Sequence, residues 1–434
     1  MARRDHVDLV EVHCWGRLVG AVAQARYSDA CVFEYDPRWR RSGIELAPLL
    51  LPTRSRSGQF SFPGLSRDTY KGLPGLLADA LPDRFGNALI DAWMAQRGIP
   101  ASAISVLDRL AYMGSRGMGA LQFRPVLGNE DTPSVPIQLA SLVEAARRAV
   151  SGSVDDSHAA QSLNRIIEVG TSAGGARAKA VIGWDRAGEQ IISGQFDLPA
   201  GFEHWLLKFD GVGNDAQLGP SQQYGRIEYA YHLMARAAGI EMADCRLLEE
   251  GGRAHFVTRR FDRMGNTRLH LQSLCAMAHV DYNLQASNAY ETLFITAAEL
   301  GLGDAALTAL LRRMAFNVAA ANNDDHSKNF AFLLPPPADG QPLPAWQLAP
   351  AYDITYAFDP DNQWLRQHLM SVNGRFAGIT RADIATVADR FSIAGLHEVI
   401  DSVNAALARW PEFAAAAGLD DSEQARIAGH HQRL

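Results

Sequence analysis

The segment NNDDHSKN at residues 322–329 has the residue types and spacing of a phosphoryl-transfer loop. Asp324 and Asn329 stand in the order D-x-x-x-x-N, in which the aspartate orients the attacking hydroxyl group and the asparagine holds Mg²⁺. Asp353 ends the later segment LAPAYD. Mg²⁺ prefers hard oxygen ligands and usually takes one or two protein carboxylates together with phosphates and water. Asp324 is therefore the predicted catalytic base, and Asn329 and Asp353 are the predicted metal ligands.

The sequence between these residues predicts how they meet. FAFLL follows Asn329, and AWQLAPAYD follows the turn-rich stretch PPPADGQP. We expect two short strands joined by a polar hairpin that brings Asp353 back beside Asn329. Asn, Asp and Ser are also frequent in ordinary turns, because their side chains bond to nearby backbone groups. The sequence of this segment fits an ordinary turn as well as a catalytic loop, so the choice between them depends on the other motifs of the chain.

A glycine-rich segment, EVGTSAGGARAKAVIG at 168–183, is a candidate phosphate loop. It places Gly170, Gly174 and Gly175 just before a strand pattern. Small residues let backbone N–H groups approach phosphate oxygens closely. The segment lacks the spacing of a Walker sequence. A tight hairpin turn explains the glycines about as well as a nucleotide does.

Two later segments supply candidate partners for the nucleotide. HWLLKFD at 204–210 alternates as a strand and places Lys208 where it can pair with the α- and β-phosphates of ATP. The alternative is an edge-strand lysine that discourages aggregation. The following helix carries Glu228, the predicted partner of Lys208, although the helix dipole also favours a glutamate in a first turn. AHFVTRRFDR at 254–263 predicts a strand that ends at a hinge, whose backbone groups would contact adenine.

Composition sets limits on the class of protein. The 434 residues are 47% hydrophobic and 21% charged, which is typical of a globular chain with two or three domain-sized units. A net charge of -7 argues against nucleic-acid binding through bulk charge, and RWRR at 38–41 and TRSRS at 53–57 are interpreted as solvated loops. We expect a cytoplasmic protein without membrane contact, because neither a signal peptide nor a long apolar run is present. The four scattered cysteines fit reduced, buried thiols.

Hydrophobic periodicity predicts an α+β fold in three parts. Residues 1–128 form an N-terminal α+β subdomain, with short strands over 8–35 and helical patterns that include 75–98. Residues 129–264 form the nucleotide-binding unit. Residues 265–434 are largely helical and contain the catalytic loop and the metal-binding aspartate.

In combination, these motifs resemble those of the HipA-type toxin kinases of bacterial type II toxin–antitoxin systems, over nearly the whole chain. The segments that carry the resemblance are LPDRFGN at 81–87, TSAGGARAKA at 171–180, WLLKFDG at 205–211, RFDR at 260–263, NNDDHSKN and LAPAYD. The resemblance implies a serine/threonine protein kinase with a bilobal, protein-kinase-like fold related to phosphoinositide kinases. It also implies an extra N-terminal α+β subdomain and a largely helical C-terminal lobe.

The resemblance also implies cofactors and partners. The cofactors are ATP and Mg²⁺, and the substrate is a host protein; aminoacyl-tRNA synthetases are the best-known substrates in the family. The partner is a small DNA-binding antitoxin of the HipB type, and operator DNA is reached only through the complex with that antitoxin.

Individual residues acquire roles from the same resemblance. His326 lies inside the catalytic loop with a positioning role beside Asp324. Ser172 matches a loop serine that is autophosphorylated in related proteins, an event associated with ejection of the loop and loss of nucleotide binding. About two negative charges at that position would repel the ATP phosphates. The neighbouring Thr171 is the alternative site of modification.

The family's nucleotide site extends to four further positions in this sequence, namely Lys179, Arg259, Phe261 and Tyr352. Arg259 departs from the pattern, because many relatives have an acidic or otherwise different residue there. Backbone groups are thought to contact adenine at the hinge, so this departure concerns side-chain detail more than the use of ATP.

Two other functions are compatible with part of the pattern. A small-molecule phosphotransferase, such as an antibiotic-modifying kinase, shares the same catalytic loop. A weakly active chain that acts as a corepressor, bound to an antitoxin on operator DNA, belongs to a different class. The intact set of Asp324, Asn329 and Asp353 favours an active enzyme over a degenerate one.

Overall fold

The computed structural model describes residues 7–25, 28–127, 136–151, 178–187, 189–211 and 223–434. The chain divides into two compact units. Unit 1 comprises Met1–Gln222, Leu248–Leu271 and Leu334–Ala345, and unit 2 comprises Gln223–Leu247, Gln272–Leu333 and Trp346–Leu434. Both helices and sheets are present, which confirms the predicted α+β class.

The N-terminal part of unit 1 is built on a five-stranded antiparallel sheet with the order β4-β3-β2-β1-β5. Its strands are β1 (Leu9–Cys14), β2 (Arg17–Gln24), β3 (Cys31–Tyr35), β4 (Gln59–Phe60) and β5 (Leu121–Arg124). Val10, Val12 and Cys14 of β1 alternate into the core, while Leu9 and Glu11 are exposed. The small sheet predicted from the strand patterns over residues 8–35 is confirmed.

Six helices follow in the described part of unit 1. They are α1 (Pro37–Ser42), α2 (Arg67–Tyr70), α3 (Gly75–Ala78), α4 (Arg84–Ala95), α5 (Val106–Met113) and α6 (Leu139–Ser151). The helical pattern predicted over 75–98 is interrupted between α3 and α4. Pro82 lacks a backbone N–H group, and Asp83 starts α4 by accepting a 2.8 Å hydrogen bond from the backbone N–H of Gly86.

A second five-stranded sheet has the order β7-β6-β8-β10-β9. Its strands are β6 (Lys179–Asp185), β7 (Gln190–Ser193), β8 (Glu203–Lys208), β9 (Cys245–Glu250) and β10 (Arg253–Arg259). Trp205, Leu207 and Phe209 pack in one apolar cluster with buried side chains of α4 and α6. The predicted alternation of this strand is therefore confirmed. Since β8 has a neighbour on each side, the edge-strand interpretation of Lys208 is wrong.

Short strands and helices complete the chain. The strands are β11 (Arg263–Met264), β12 (Thr267–Arg268), β13 (His270–Ser273), β14 (Asn288–Ala289), β15 (Ala331–Leu334), β16 (Gln347–Leu348) and β17 (Met370–Ser371). The helices are α7 (Tyr224–Ala237), α8 (Leu274–Met277), α9 (Tyr290–Glu299), α10 (Gly303–Ala319), α11 (Arg381–Arg390), α12 (Leu396–Ala408), α13 (Trp410–Ala416) and α14 (Asp421–Ala428). The helical character expected beyond residue 265 is present. Among the described residues, no helix is both long and apolar enough to cross a bilayer.

Candidate active site

The predicted catalytic loop begins where helix α10 ends. Ala321 has φ 53°, a left-handed conformation that stops the helix and turns the chain into the loop. The backbone N–H of Asn322 donates to the carbonyl of Asn317 at 3.0 Å. A short 3₁₀ helix over Ser327–Asn329 ends the loop, and β15 follows. A buried helix and a buried strand thus hold the two ends of the loop.

Within the loop, the predicted catalytic residues lie close together. Asn329 donates from Nδ2 to the backbone carbonyl of Asp324 at 2.7 Å. The Nε2 atom of His326 lies 3.7 Å from Oδ1 of Asp324. The side chain of Asp324 is 46% exposed, so solvent and substrate can reach its carboxylate. The D-x-x-x-x-N spacing therefore closes into one compact turn with an accessible carboxylate.

The segment that carries the predicted metal aspartate lies against this loop. Strands β15 and β16 pair antiparallel, with Phe332 opposite Leu348. Beyond β16, the hydroxyl group of Tyr352 donates to the carbonyl of Lys328 at 2.6 Å. The predicted hairpin is confirmed, and the residue that precedes Asp353 is bonded to the catalytic loop.

The backbone of the segment at 348–353, which is the predicted metal segment, is held in a specific conformation. Asp353 has φ 53°, which is uncommon for a residue other than glycine and is typical of residues held by their surroundings at functional sites. Arg313 donates from Nη2 to the carbonyl of Ala349 at 2.7 Å. Burial lowers the pKa of Arg313 to about 10, although Glu241 and Tyr352 favour its charged form. A buried guanidinium group thus supports the segment from the protein interior.

The donor set suits magnesium. The hydrogen bond from Nδ2 of Asn329 fixes its amide and leaves Oδ1 as the atom turned away from the Asp324 carbonyl. The carboxylate of Asp353 is a second hard oxygen donor. A site with few protein ligands is the kind that Mg²⁺ uses when phosphates and water complete its coordination.

Sequence reasoning missed two buried polar residues near this loop. Asp325 is fully buried and accepts hydrogen bonds from Tyr290 and His368 at 2.8 Å each. Gln272 on β13 is also fully buried, and neither atom of its amide has a partner within the described part of the chain. A buried amide requires partners, so Gln272 is a candidate for ligand contact. The consecutive aspartates were a usable signal for Asp325, whereas nothing in the local pattern marked Gln272.

In unit 1, the two predicted phosphate-site lysines face each other. Lys179 of β6 is the register partner of Lys208 of β8, and both side chains are buried. Like charges opposite each other on neighbouring strands repel unless anionic groups offset them. The Nζ atom of Lys179 lies 3.7 Å from Oδ2 of Asp83, which belongs to the LPDRFGN segment. This arrangement places two buried cations beside each other, with a carboxylate close to one of them.

The charged residues of RFDR, at the predicted hinge, have mainly structural contacts. Oδ2 of Asp262 lies 2.8 Å from Nη2 of Arg260 and 2.7 Å from Nη1 of Arg263, and all three side chains are almost fully buried. Burial alone would raise the pKa of Asp262, but the two guanidinium groups outweigh it and hold that pKa well below its usual range. Asp262 also accepts from the backbone N–H of Gly119 at 2.7 Å. The charged side chains of RFDR therefore anchor the exit of β10 to the N-terminal part of unit 1.

The other predicted nucleotide-site residues divide into three groups. Arg259 lies at the end of β10 with its side chain 51% exposed and 3.4 Å from Glu203, and Phe261 follows in a turn. Glu228 is buried on α7 in unit 2, whereas Lys208 belongs to unit 1, so their pairing stays a prediction. The remaining positions lie outside the described residues; they are Gly170, Thr171, Ser172, Gly174 and Gly175.

Family comparison agrees with this geometry. A model of the HipA-like C-terminal domain matches residues 171–420, and a model of the HipA N-terminal domain matches residues 10–124. The chain belongs to the HipA family. These two regions contain all six segments on which the predicted resemblance was based, which confirms it. A search of the curated proteins found no match.

One solved structure has the same fold. A chain of the HipA, HipB and operator DNA complex from Shewanella oneidensis MR-1 is 18% identical to this HipA-family chain. The alignment covers 97% of this chain and 94% of that chain, with a TM-score of 0.65. The proinflammatory kinase CtkA of Helicobacter pylori is 11% identical and covers 52% of this chain and 85% of its own, with a TM-score of 0.34. The first similarity establishes a HipA-type fold, whereas the second is too low to support an inference.

Proposed function

We propose that this HipA-family chain is an ATP- and Mg²⁺-dependent serine/threonine protein kinase and the toxin of a toxin–antitoxin pair. The observation that carries the proposal is the hydrogen bond between Tyr352 and Lys328. It joins the segment that carries Asp353 to the D-x-x-x-x-N loop, within unit 2. Membership in the HipA family and the fold agree with this assignment.

In this mechanism the loop residues have separate tasks. Asp324 accepts the proton of the attacking hydroxyl group through its exposed carboxylate, and His326 keeps that carboxylate in place at 3.7 Å. Asn329 and Asp353 hold Mg²⁺ through their oxygen atoms. When bound, Mg²⁺ neutralises negative charge that develops on the transferred phosphoryl group.

Nucleotide binding is assigned to the residues that the sequence predicts for it. Lys179 and Lys208 bind phosphate oxygens, and Glu228 orients Lys208. Tyr352, Arg259 and Phe261, together with the glycines at 170, 174 and 175, complete the nucleotide site. The buried pair of lysines supports this assignment, because two neighbouring cations attract the negatively charged oxygens of a phosphate group.

Self-inactivation through Ser172 belongs to the same proposal. A phosphoryl group on this loop serine would place about two negative charges where the ATP phosphates bind. We expect Ser172→Ala to preserve the first turnover and to abolish self-inactivation. Phosphorylation at Thr171 in place of Ser172 would move the site by one position, and a wild-type chain that stays active when fully phosphorylated at Ser172 would contradict the switch.

The proposed partner is a HipB-like antitoxin that carries the DNA-binding function. The similar chain from S. oneidensis MR-1 comes from a complex with HipB and operator DNA. A net charge of -7 fits contact with DNA through a partner better than direct binding by bulk charge. We place the pair in the cytoplasm, with a host protein such as an aminoacyl-tRNA synthetase as the substrate.

The decisive experiment is mass spectrometry with mapping of phosphorylated residues after incubation with Mg-ATP. The wild type is compared with Asp324→Ala and with Asp401→Ala, a control at an exposed position on α12. We expect phosphorylation of the wild type and the control, and none of Asp324→Ala, which should still bind ATP because a catalytic base contributes little to nucleotide affinity. Equal phosphorylation of all three proteins would refute the assignment of Asp324. ATP binding without transfer to any protein would favour the corepressor function.

A further inference from the structure

The second aspartate of NNDDHSKN lies in a different environment from the first. Asp325 is fully buried, and both of its carboxylate oxygens accept hydrogen bonds. Oδ2 accepts from the hydroxyl group of Tyr290 and from Nδ1 of His368, each at 2.8 Å. Oδ1 accepts from the backbone N–H groups of Leu369 at 2.8 Å and Met370 at 3.4 Å. This carboxylate therefore joins the loop to two segments that are distant in sequence.

A second layer of hydrogen bonds supports the first. Asn317 on α10 donates from Nδ2 to the hydroxyl oxygen of Tyr290 at 3.0 Å, and Asn322 donates from Nδ2 to Oδ1 of Asn317 at 2.9 Å. Asn323 donates from Nδ2 to the carbonyl of Leu365 at 2.8 Å. Side chains on both sides of the predicted base are thus tied to residues outside the loop.

We propose that Asp325 is a positioning residue that sets the direction in which Asp324 is presented to the substrate. This inference rests on the proposed kinase function. The two residues are neighbours, yet one side chain is 46% exposed and the other is inaccessible. Anchoring Asp325 from four directions fixes the backbone from which Asp324 projects.

The middle of the loop depends on side-chain anchors of this kind. Residues 323–326 belong to neither a helix nor a strand, so no backbone ladder defines their conformation. Hydrogen bonds to an ionised carboxylate are about twice as strong as neutral ones, and burial strengthens them further. Asp325 is too deeply buried to meet a substrate, so its contribution to the reaction is indirect.

The test compares Asp325→Asn with Asp383→Asn. Asp383 is a buried carboxylate in the same unit that caps α11 through Thr380, and its other partners, Asn373 and Arg375, lie outside residues 322–329. Misplacement of a catalytic group by about 1 Å costs on the order of 100-fold in rate. We expect Asp325→Asn to lower kcat by about that factor and to leave KM for ATP within about threefold, because nucleotide contacts are made elsewhere. Asp383→Asn should lower the melting temperature and leave kcat unchanged.

A pair of variants at His368 guards against loss of folding. An asparagine amide can donate from a position close to that of Nδ1, so His368→Asn should retain most of the activity that His368→Ala loses. Equal activity of the two variants would overturn the inference, as would an unchanged kcat in Asp325→Asn. A rise in KM for ATP as large as the fall in kcat would also overturn it, because a general loosening of the site would then explain both changes.

Hydrogen exchange measured by mass spectrometry separates this inference from the proposed function. The amides of Leu369 and Met370 should exchange faster in Asp325→Asn than in the wild type or Asp383→Asn. If these amides exchange in Asp325→Asn at the same rate as in the wild type, the inference is overturned, whether or not the protein has kinase activity. If these amides exchange faster in Asp325→Asn but the wild type has no kinase activity, the kinase assignment is refuted, while the role of Asp325 as an anchor of the loop is supported.

Discussion

Removal of the Asp262 charge should destabilise unit 1 severely. The carboxylate is completely buried between Arg260 and Arg263, whose guanidinium groups approach it within 2.8 and 2.7 Å. Asp262→Asn preserves the shape of the side chain but leaves two buried cations without their shared carboxylate. Breaking a buried ion pair by removing one partner costs about 3–5 kcal/mol. That is a large fraction of the ~5–15 kcal/mol that stabilises a typical folded protein.

Urea unfolding at neutral pH would measure this cost. The matched control is Asp91→Asn, since Asp91 also pairs with an arginine, Arg109, at 2.6 Å, but is 35% exposed. An ion pair of that kind contributes about 0.2–1 kcal/mol. We therefore expect the free energy of unfolding to fall at least three times as far in Asp262→Asn as in Asp91→Asn. Similar losses in the two variants would refute the conclusion that the RFDR side chains are structural anchors.

Three further predictions concern the site and the core. Tyr352→Phe removes the hydrogen bond to Lys328, which is worth about 1 kcal/mol. We therefore expect kcat/KM for Mg-ATP to fall about fivefold. An unchanged kcat/KM would contradict the proposed coupling between the catalytic loop and the segment of Asp353. Burial lowers the pKa of His270 from 6.5 to about 4, so this residue stabilises the fold above pH 6.5 and its contribution declines as the pH falls toward 4. Between pH 7 and pH 5 the loss amounts to about 2 kcal/mol, and urea unfolding of His270→Gln should show a pH dependence smaller by that amount. Ser172→Ala should give progress curves that stay linear in Mg-ATP while the wild type slows, and identical curvature in both would contradict self-inactivation.

Local sequence patterns predicted the parts of the site that depend on short-range order. The spacing of Asp324 and Asn329, the hairpin strands and the alternation around Lys208 are visible within a few residues of chain. Contacts between distant residues could not be predicted in this way. His368 lies 43 residues beyond Asp325, and no periodicity links them.

The same limit explains the errors and omissions. The edge-strand alternative for Lys208 was wrong because strand order depends on which sequence-distant strands pair. Strand β9 was missed because its residues, CRLLEE, lack a regular alternation of buried and exposed side chains. The charged residues of RFDR pair with one another and also bond to the backbone of the loop at 117–119, and no local pattern indicated these distant contacts.

Helix α10 links the two halves of the candidate site. Arg313 holds the metal segment through the carbonyl of Ala349, and Asn317 holds the catalytic loop through Tyr290 and Asp325. These two side chains are four residues apart, so they project from the same face of the helix and are separated by about 6 Å along its axis. Because both supports belong to one helix whose C-terminal half is buried, the fold itself positions the catalytic loop and the segment of Asp353 relative to each other. Substitutions on this face of α10 should therefore change the reaction rate without any contact between the changed residue and the substrate.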